Sequence, residues 1–329
     1  MVTINDIAKK AGVAKSTVSR YLNNGSVSTQ TREKIDKIIK ETGYTPNTFA
    51  RSLKAQKTNM LGVIIPRLNS SSTNEVLEGI DATARELGYQ LIITNSDQNL
   101  ERELENIQTL AIQKVEGIIM LARQITKQHI DLINQASLPF LFIGQKAGTI
   151  HSMIHQDYEA GKQIGEYALG LGHRHFLYVG VPEYDQAVGI DRKKGFLDTL
   201  KKEKSSEVEY IETTFSRTIA YEKALKFLPE TKATYIVCAT DNIAVAVLKA
   251  ASELGYRVPE DFSLSGFGGY EATSYVTPTI TTVSYPYKRL GEESVKKIDL
   301  LINKKTVPML SELGNVLEVK ESTKEYKES

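Results

Sequence analysis

A chain of 329 residues, 41% hydrophobic and 25% charged, has an ordinary globular composition with room for about two domains and a small extra unit. Its one cysteine, Cys238, excludes an internal disulfide framework and a cysteine-built metal cluster. No apolar run approaches the roughly 20 residues that span a bilayer, and the polar start with Asp6, Lys9 and Lys10 predicts a cytoplasmic protein with no membrane partner. The net charge of +1 is uneven: residues 1–58 hold eleven lysines and arginines against four acids, so the rest is acidic. That asymmetry predicts a polyanionic partner for the basic end alone.

In chain order, Ile4, Ile7, Ala8 and Ala11 recur at helical spacing, and Gly12 stops that helix. The pattern resumes from Val13 to Leu22, with Val18 and Leu22 inward and Lys15, Ser16, Thr17, Ser19 and Arg20 outward. Asn23-Asn24-Gly25 closes it. Ser28 is placed to cap a third helix whose apolar stripe is Ile35, Ile38 and Ile39 and whose stop is Gly43. This is helix-turn-helix grammar. The outward face offers hydroxyls, an arginine fork and the Asn23 amide, groups that read base edges and phosphates; a small helical cap with a solvated basic face is the plainer alternative. Pro46 blocks continuation of the third helix, and Asn47 is placed to cap a short segment, Thr48 to Lys54, too short to be a stable helix alone.

From Met60 onward strand and helix patterns alternate, beginning with "LGVIIP" and running through "VEGIIML", "LPFLFIG", "HFLYVGV", "TYIVCAT" and "FSLSGF". One series precedes Asp157 and a second follows it. The expectation is an α/β body of two doubly wound parallel-sheet lobes joined by late crossovers near Ser284 and Gly314, behind an all-α N-terminal domain. Ligands of such folds bind at strand C-terminal ends, in the cleft. Asp241, directly after "TYIVCAT", is therefore a candidate ligand contact. Ser70 to Thr73, after the first strand, are candidates from the other lobe, with Ser71 chosen among them.

Enzyme signatures are missing: there is no G-x-x-x-x-G-K-[ST], G-x-S-x-G or H-E-x-x-H, and "GFGG" at Gly266–Gly269 lacks dinucleotide-loop spacing. His151 and His155 are four apart without an acid on the same face, so a metal pair is disfavoured. His173 and His175 are read as surface turn residues. No cofactor and no catalytic residue is expected.

The stretches "TINDIAKKAGVAKSTVSRYLNN", "VSTQTREKIDKIIKETGYTPNTFARSLK", "DRKKGF" and "ATDNIAVAVLKAASELGYRVPEDFSLSGF" resemble the lactose-repressor (LacI/GalR) family of bacterial transcription regulators. The resemblance spans nearly the whole chain. It implies a helix-turn-helix domain over 1–46, a hinge helix and linker over 47–58, and a periplasmic-binding-protein-like effector and dimerisation body over 59–329. Within the body it implies an N-lobe of about 59–157 plus 285–314 and a C-lobe of about 158–284 plus 315–329. Base contacts then fall to Lys15, Ser16, Thr17, Ser19, Arg20 and Asn23. Thr3, Ser28, Thr31 and Asn47 become phosphate anchors, and Leu53 a minor-groove wedge beside Lys54. One departure is Ala14, where many members place a capping Ser or Asn, at a cost of roughly 1 kcal/mol.

For the effector, the resemblance implies Arg192 pointing into the cleft with a fork of hydrogen bonds, and Phe215, or Tyr184, stacking on a sugar face. Asp157 either caps a helix or faces the lobe junction. Many sugar-responsive members carry an aspartate pair where this chain has Gly268 and Gly269. Those glycines would leave room for a bulkier ligand and shift polar recognition to Asp241 and Arg192, helped by Asp185. The expected partners are near-palindromic double-stranded operator DNA, a second copy of the chain, and a small sugar or sugar phosphate. Stretches such as "GFGGYEATSYVTPTITTVSYPY" are similar to sucrose-operon repressors of Gram-positive bacteria, which implies a sucrose- or fructose-related effector. A catabolite-control regulator with a protein corepressor, and a sugar-binding module without regulatory output, are the alternatives.

Overall fold

The computed structural model describes residues 2–22, 25–44 and 58–327. They fall into two units divided between Asn59 and Met60.

The first unit is three helices: α1 (Ile4–Ala11), α2 (Lys15–Leu22) and α3 (Thr29–Thr42). Thr3 caps α1 through a reciprocal bond pair with Asp6, and Gly12 ends it at φ +65°, a conformation that favours glycine. Ser28 accepts from the Thr31 amide at the start of α3, and Gly43 closes that helix, again left-handed. Ile7, Ala8, Ala11, Val18, Ile35 and Ile38 are its buried core. Helix α2 opens without a side-chain cap: the Ala14 carbonyl accepts from Thr17 and Val18, and its methyl offers nothing to the free amides. The Tyr21 hydroxyl donates to Asp36, and Arg32 lies over the Tyr21 ring, so α2 is tied to α3 away from its outer face.

The second unit is two six-stranded sheets. In the first lobe the order is β11 (Leu310–Leu313), β5 (His151–His155), β4 (Phe140–Ile143), β3 (Gly117–Leu121), β1 (Met60–Ile65), β2 (Gln90–Asn95), all parallel. In the second it is β12 (Val316–Glu318), β10 (Thr281–Ser284), β9 (Ser263–Gly268), β8 (Tyr235–Cys238), β6 (His175–Gly180), β7 (Glu207–Glu212). Central strands such as β1, β3 and β8 are unbroken apolar runs because helices cover both of their faces. The exception to the all-parallel expectation is β12, which pairs antiparallel with β10. It follows β11 of the first sheet after only Gly314 and Asn315, so the chain passes from one lobe to the other there without a helix. No helix among the described residues is long and apolar enough to cross a membrane.

Between these strands, α4 (Ser71–Glu86), α5 (Leu100–Ile112), α6 (Lys127–Ala136) and α11 (Tyr287–Ile302) serve the first sheet; α7 (Asp157–Gly170), α8 (Arg192–Leu200), α9 (Arg217–Phe227) and α10 (Asp241–Glu253) serve the second. Two helix pairs cross at near backbone contact, α4 with α11 at Gly79 and Gly291, and α7 with α8. A β-carbon on Gly161 of α7 would lie 2.0 Å from the Arg192 carbonyl, and one on Gly195 of α8 equally close to that of Tyr158. Side chains there would push the helices apart. This crossing brings the first turns of α7 and α8 together, which matters for the site.

Two histidine expectations change. His151 and His155 lie on a strand, not a helix, so they stand about four strand residues apart along one face rather than side by side. His173 is 1% exposed. The returning C-terminal segment covers it: its ring bonds the Thr234 hydroxyl and the Lys324 carbonyl and stacks on Tyr326.

Candidate nucleic-acid interface and effector cavity

On the first unit, Lys15, Ser16 and Arg20 are exposed along α2, with Thr17 and Ser19 half-buried beside them and Val18 fully buried behind. The spacing follows from one helical turn: Val18 anchors the helix, so the residues flanking it face outward. Thr3, Ser28 and Thr31 sit at helix starts, where amide groups and the helix dipole favour phosphate. Asn23, Asn47, Leu53 and Lys54 lie outside the described residues.

On the second unit, a cavity of about 160 Å³ opens between the lobes at the strand C-terminal ends. Each strand hands its wall the first residues after it ends. The first lobe contributes Arg67 after β1, Arg123 after β3, Gln145 after β4 and His155 at the end of β5. Ser70, Ser72 and Thr73 come from the start of α4. The second lobe contributes Asp185, Arg192, Phe215, Thr240, Asn242 and Tyr270, and Asp157 comes from the start of α7.

Two cation–π contacts join the lobes across this cavity. The Arg67 guanidinium lies 4.6 Å from the centre of the Phe215 ring, and that of Arg123 lies 5.1 Å from the Tyr184 ring. Arg123 also donates to the Gln98 carbonyl at 2.7 Å. Burial lowers the affinity of Arg67 for its proton. Asp185 caps a π-helical turn, Gln186–Asp191, by accepting from the Val188 amide at 3.0 Å; burial raises its carboxyl above the usual range.

Arg192 and Asp157 form a buried pair, Nε to Oδ1 at 2.7 Å. Arg192 also donates from Nη1 to the Ala239 carbonyl at 3.0 Å, and its plane lies 4.7 Å from the Tyr285 ring centre. The expected fork toward a ligand is thus largely engaged within the protein. Asp157 is the first residue of α7 rather than its cap; Gln156 holds the cap position without a side-chain bond. The Asp157 carboxylate faces Arg192.

Two expected effector contacts move, and the room expected beside Gly268 is filled. Ser71 does not line the cavity, whereas Ser70, Ser72 and Thr73 do, because the opening turn of α4 directs Ser71 elsewhere. Asp241 is 1% exposed and also outside the lining. Its Oδ2 accepts the Tyr270 amide at 2.8 Å and its Oδ1 the Thr282 hydroxyl at 2.6 Å, so it fastens the end of β9 to β10. Burial pushes its carboxyl up to about 6. The space beside Gly268 is filled: an added β-carbon would stand 2.8 Å from the Tyr270 ring and 3.0 Å from Asp241 Oδ2. The two glycines do not leave ligand room there. Gly268 takes φ +143° and Gly269 φ +70°, and a β-carbon on Gly269 would collide with Ser284 at 2.4 Å.

The sequence reading missed Arg67, Arg123, Gln145, His155 and Asn242. Each lies at or just beyond a buried strand's end, in "IIPR", "MLAR", "FIGQ", "MIH" and "CATDN". That position was the available signal. Among the described residues, no cluster of three or more histidine, cysteine or acidic side chains could hold a metal.

A three-helix head with a polar outer helix, followed by a two-lobed body with an interlobe cavity, is the architecture of a ligand-responsive DNA-binding regulator. Residues 3–47 match the family profile described as bacterial regulatory proteins, lacI family, and residues 166–323 match that of a periplasmic binding protein-like domain. The chain is 39% identical to the sucrose operon repressor of Staphylococcus xylosus, over 93% of this chain and 96% of the relative. It is 30% identical to catabolite control protein A of Priestia megaterium, over 98% and 99%. Its fold matches that of the lac repressor dimer bound to operator and the anti-inducer ONPF, at 25% identity, with a TM-score of 0.91 over 98% and 99% of the two chains. The chain belongs to the lacI family of bacterial regulatory proteins; it is a DNA-binding transcriptional repressor and not an enzyme.

Proposed function

We propose that this repressor controls a sugar-utilisation operon, one for sucrose, and that a sucrose- or fructose-related sugar or sugar phosphate in the interlobe cavity sets its affinity for DNA. The observation that carries this reading is the cavity wall, where cationic and hydroxyl side chains of one lobe face an aromatic ring, a carboxylate and an amide of the other. Sugars need that mixture: hydrogen-bonding groups for the hydroxyls and a ring face for the C–H surface. The identity to a sucrose operon repressor supports the operon assignment.

In this reading residues 1–46 form the DNA-binding domain, 47–58 the hinge and 59–329 the effector and dimerisation body, in a cytoplasmic homodimer. Lys15, Ser16, Thr17, Ser19, Arg20 and Asn23 read the bases of a near-palindromic operator. Thr3, Ser28, Thr31 and Asn47 hold phosphates, and Leu53 with Lys54 engages the minor groove. Ser72, Asp185 and Phe215 contact the effector with Arg67 and Arg123, while the Asp157–Arg192 pair holds the wall in place. An effector that competes with the Arg67–Phe215 and Arg123–Tyr184 contacts changes the lobe arrangement. Its effect on DNA affinity is bounded by its differential affinity for the two arrangements.

The relation to a catabolite control protein favours one second reading, a regulator whose body answers to a protein corepressor. A thermal-shift screen separates the two. A raised melting temperature with sucrose, fructose or their phosphates supports the sugar reading. No shift with any of them, in a chain that binds operator tightly only with a protein partner, supports the other.

A further inference from the structure

His155 is 8% exposed, and both of its ring nitrogens are buried without a hydrogen-bond partner. It closes β5 and lines the interlobe cavity. Tyr285 and Tyr287 both pack against the ring, at centroid distances of 4.9 and 5.1 Å, the second edge-on. The contacts fix its plane but satisfy neither nitrogen. His173, also buried, has a partner on each nitrogen. A buried imidazole with neither is an unusual expense for a fold to carry unless something outside the chain completes it.

The ring's surroundings state what that something is. Burial, opposed by Asp157 and reinforced by Arg192, holds the imidazole down at about 4, so it is neutral near pH 7. Neutral imidazole has one donor and one acceptor. The Arg192 guanidinium nearby disfavours a ligand ammonium group. A carboxylate or phosphate at this depth would use the donor and leave the acceptor bare. Two separate hydroxyls, one at each nitrogen, satisfy both, because each hydroxyl can donate or accept.

We propose that His155 is a specificity-determining contact of the effector site, donating one hydrogen bond to, and accepting one from, hydroxyls of a polyol ligand at the cavity floor. The inference rests on reading this cavity as the effector site. It assigns the floor to uncharged hydroxyls, and leaves the mouth, where Arg67 and Arg123 lie, for any anionic group the ligand carries.

Calorimetry of sucrose and D-fructose binding to the full-length wild type, His155→Phe and His155→Gln tests it, together with melting temperatures of the three without ligand. Phenylalanine keeps a ring packed against the tyrosines and deletes the nitrogens; glutamine keeps a donor and an acceptor. The expected result is at least a tenfold loss of affinity in His155→Phe for the probe that binds the wild type, partial recovery in His155→Gln, and a higher unliganded melting temperature in His155→Phe. Unchanged affinity in His155→Phe, or equal losses in both variants, overturns the proposal. Failure of both sugars to bind the wild type is a failure of the sugar reading instead. The unliganded melts then decide on His155: a lower melting temperature or misfolding of His155→Phe makes the ring a structural element and overturns the inference, and a higher one upholds it.

Discussion

The Asp241 carboxylate accepts the Thr282 hydroxyl at 2.6 Å and, through its other oxygen, the Tyr270 amide at 2.8 Å, deep in the second lobe. A residue at a strand end, where ligand contacts converge in this fold, is here used to join two strands. Asp241→Asn keeps both hydrogen bonds possible and removes the buried charge. Because the folded carboxyl titrates at about 6 and the unfolded one near 3.8, the folded state binds more protons between those values. Wild-type stability therefore falls as pH rises from about 4 to 6, by up to about 3 kcal/mol. Thermal melts from pH 4 to 7.5 should show Asp241→Asn gaining on the wild type across that window. Parallel curves would contradict the buried-carboxylate assignment.

Gly268→Asp is expected to destabilise the chain whatever the ligand. The new side chain meets the Tyr270 ring and the Asp241 carboxylate, at a φ that side chains rarely adopt. A loss of about 2 kcal/mol or more is expected, read as a lower midpoint in urea. A variant as stable as wild type, with only ligand affinity reduced, would restore the view that this position borders the ligand.

Breaking the Arg192–Asp157 pair leaves a charge buried alone. Arg192→Met strands a carboxylate on α7 and Asp157→Asn weakens the hold on a buried guanidinium. The methionine variant should lose about 3–5 kcal/mol by denaturant titration, and the asparagine variant less. If Arg192→Met instead unfolds at the wild-type midpoint and only its effector binding fails, Arg192 is a ligand fork after all.

The head and the body are legible in the sequence to different depths. Helix ends in the head follow from residues that act locally: Thr3 and Ser28 cap, and Gly12 and Gly43 stop. Strands such as β1 and β8 follow from short apolar runs. What the sequence hides is long-range. Nothing near Asp241 reveals that Thr282, 41 residues on, occupies its oxygen. Nothing near His173 reveals that Lys324 and Tyr326 return to cover it. Arg67 and Arg123 were within reach, since each lies just after a buried strand, but their meeting with Phe215 and Tyr184 depends on how the lobes face each other.

Arg20 is exposed on α2 and takes no part in the core of the head. Arg20→Ala should leave the melting temperature within a degree or two, as surface substitutions do, while costing about 1–3 kcal/mol of specific DNA affinity. Binding to unrelated DNA should weaken only slightly. Equal losses on both DNAs would make Arg20 a phosphate contact rather than a base reader.

The central claim, that a ligand in the interlobe cavity governs DNA binding by the head, is tested most directly by fluorescence anisotropy. A labelled near-palindromic duplex, selected by the full-length protein from a random pool, is titrated at fixed salt with and without saturating sucrose, fructose or their phosphates. The account predicts tight specific binding that one of these ligands shifts at least tenfold, and that an unrelated duplex does not share. Operator affinity indifferent to every one of them would contradict it.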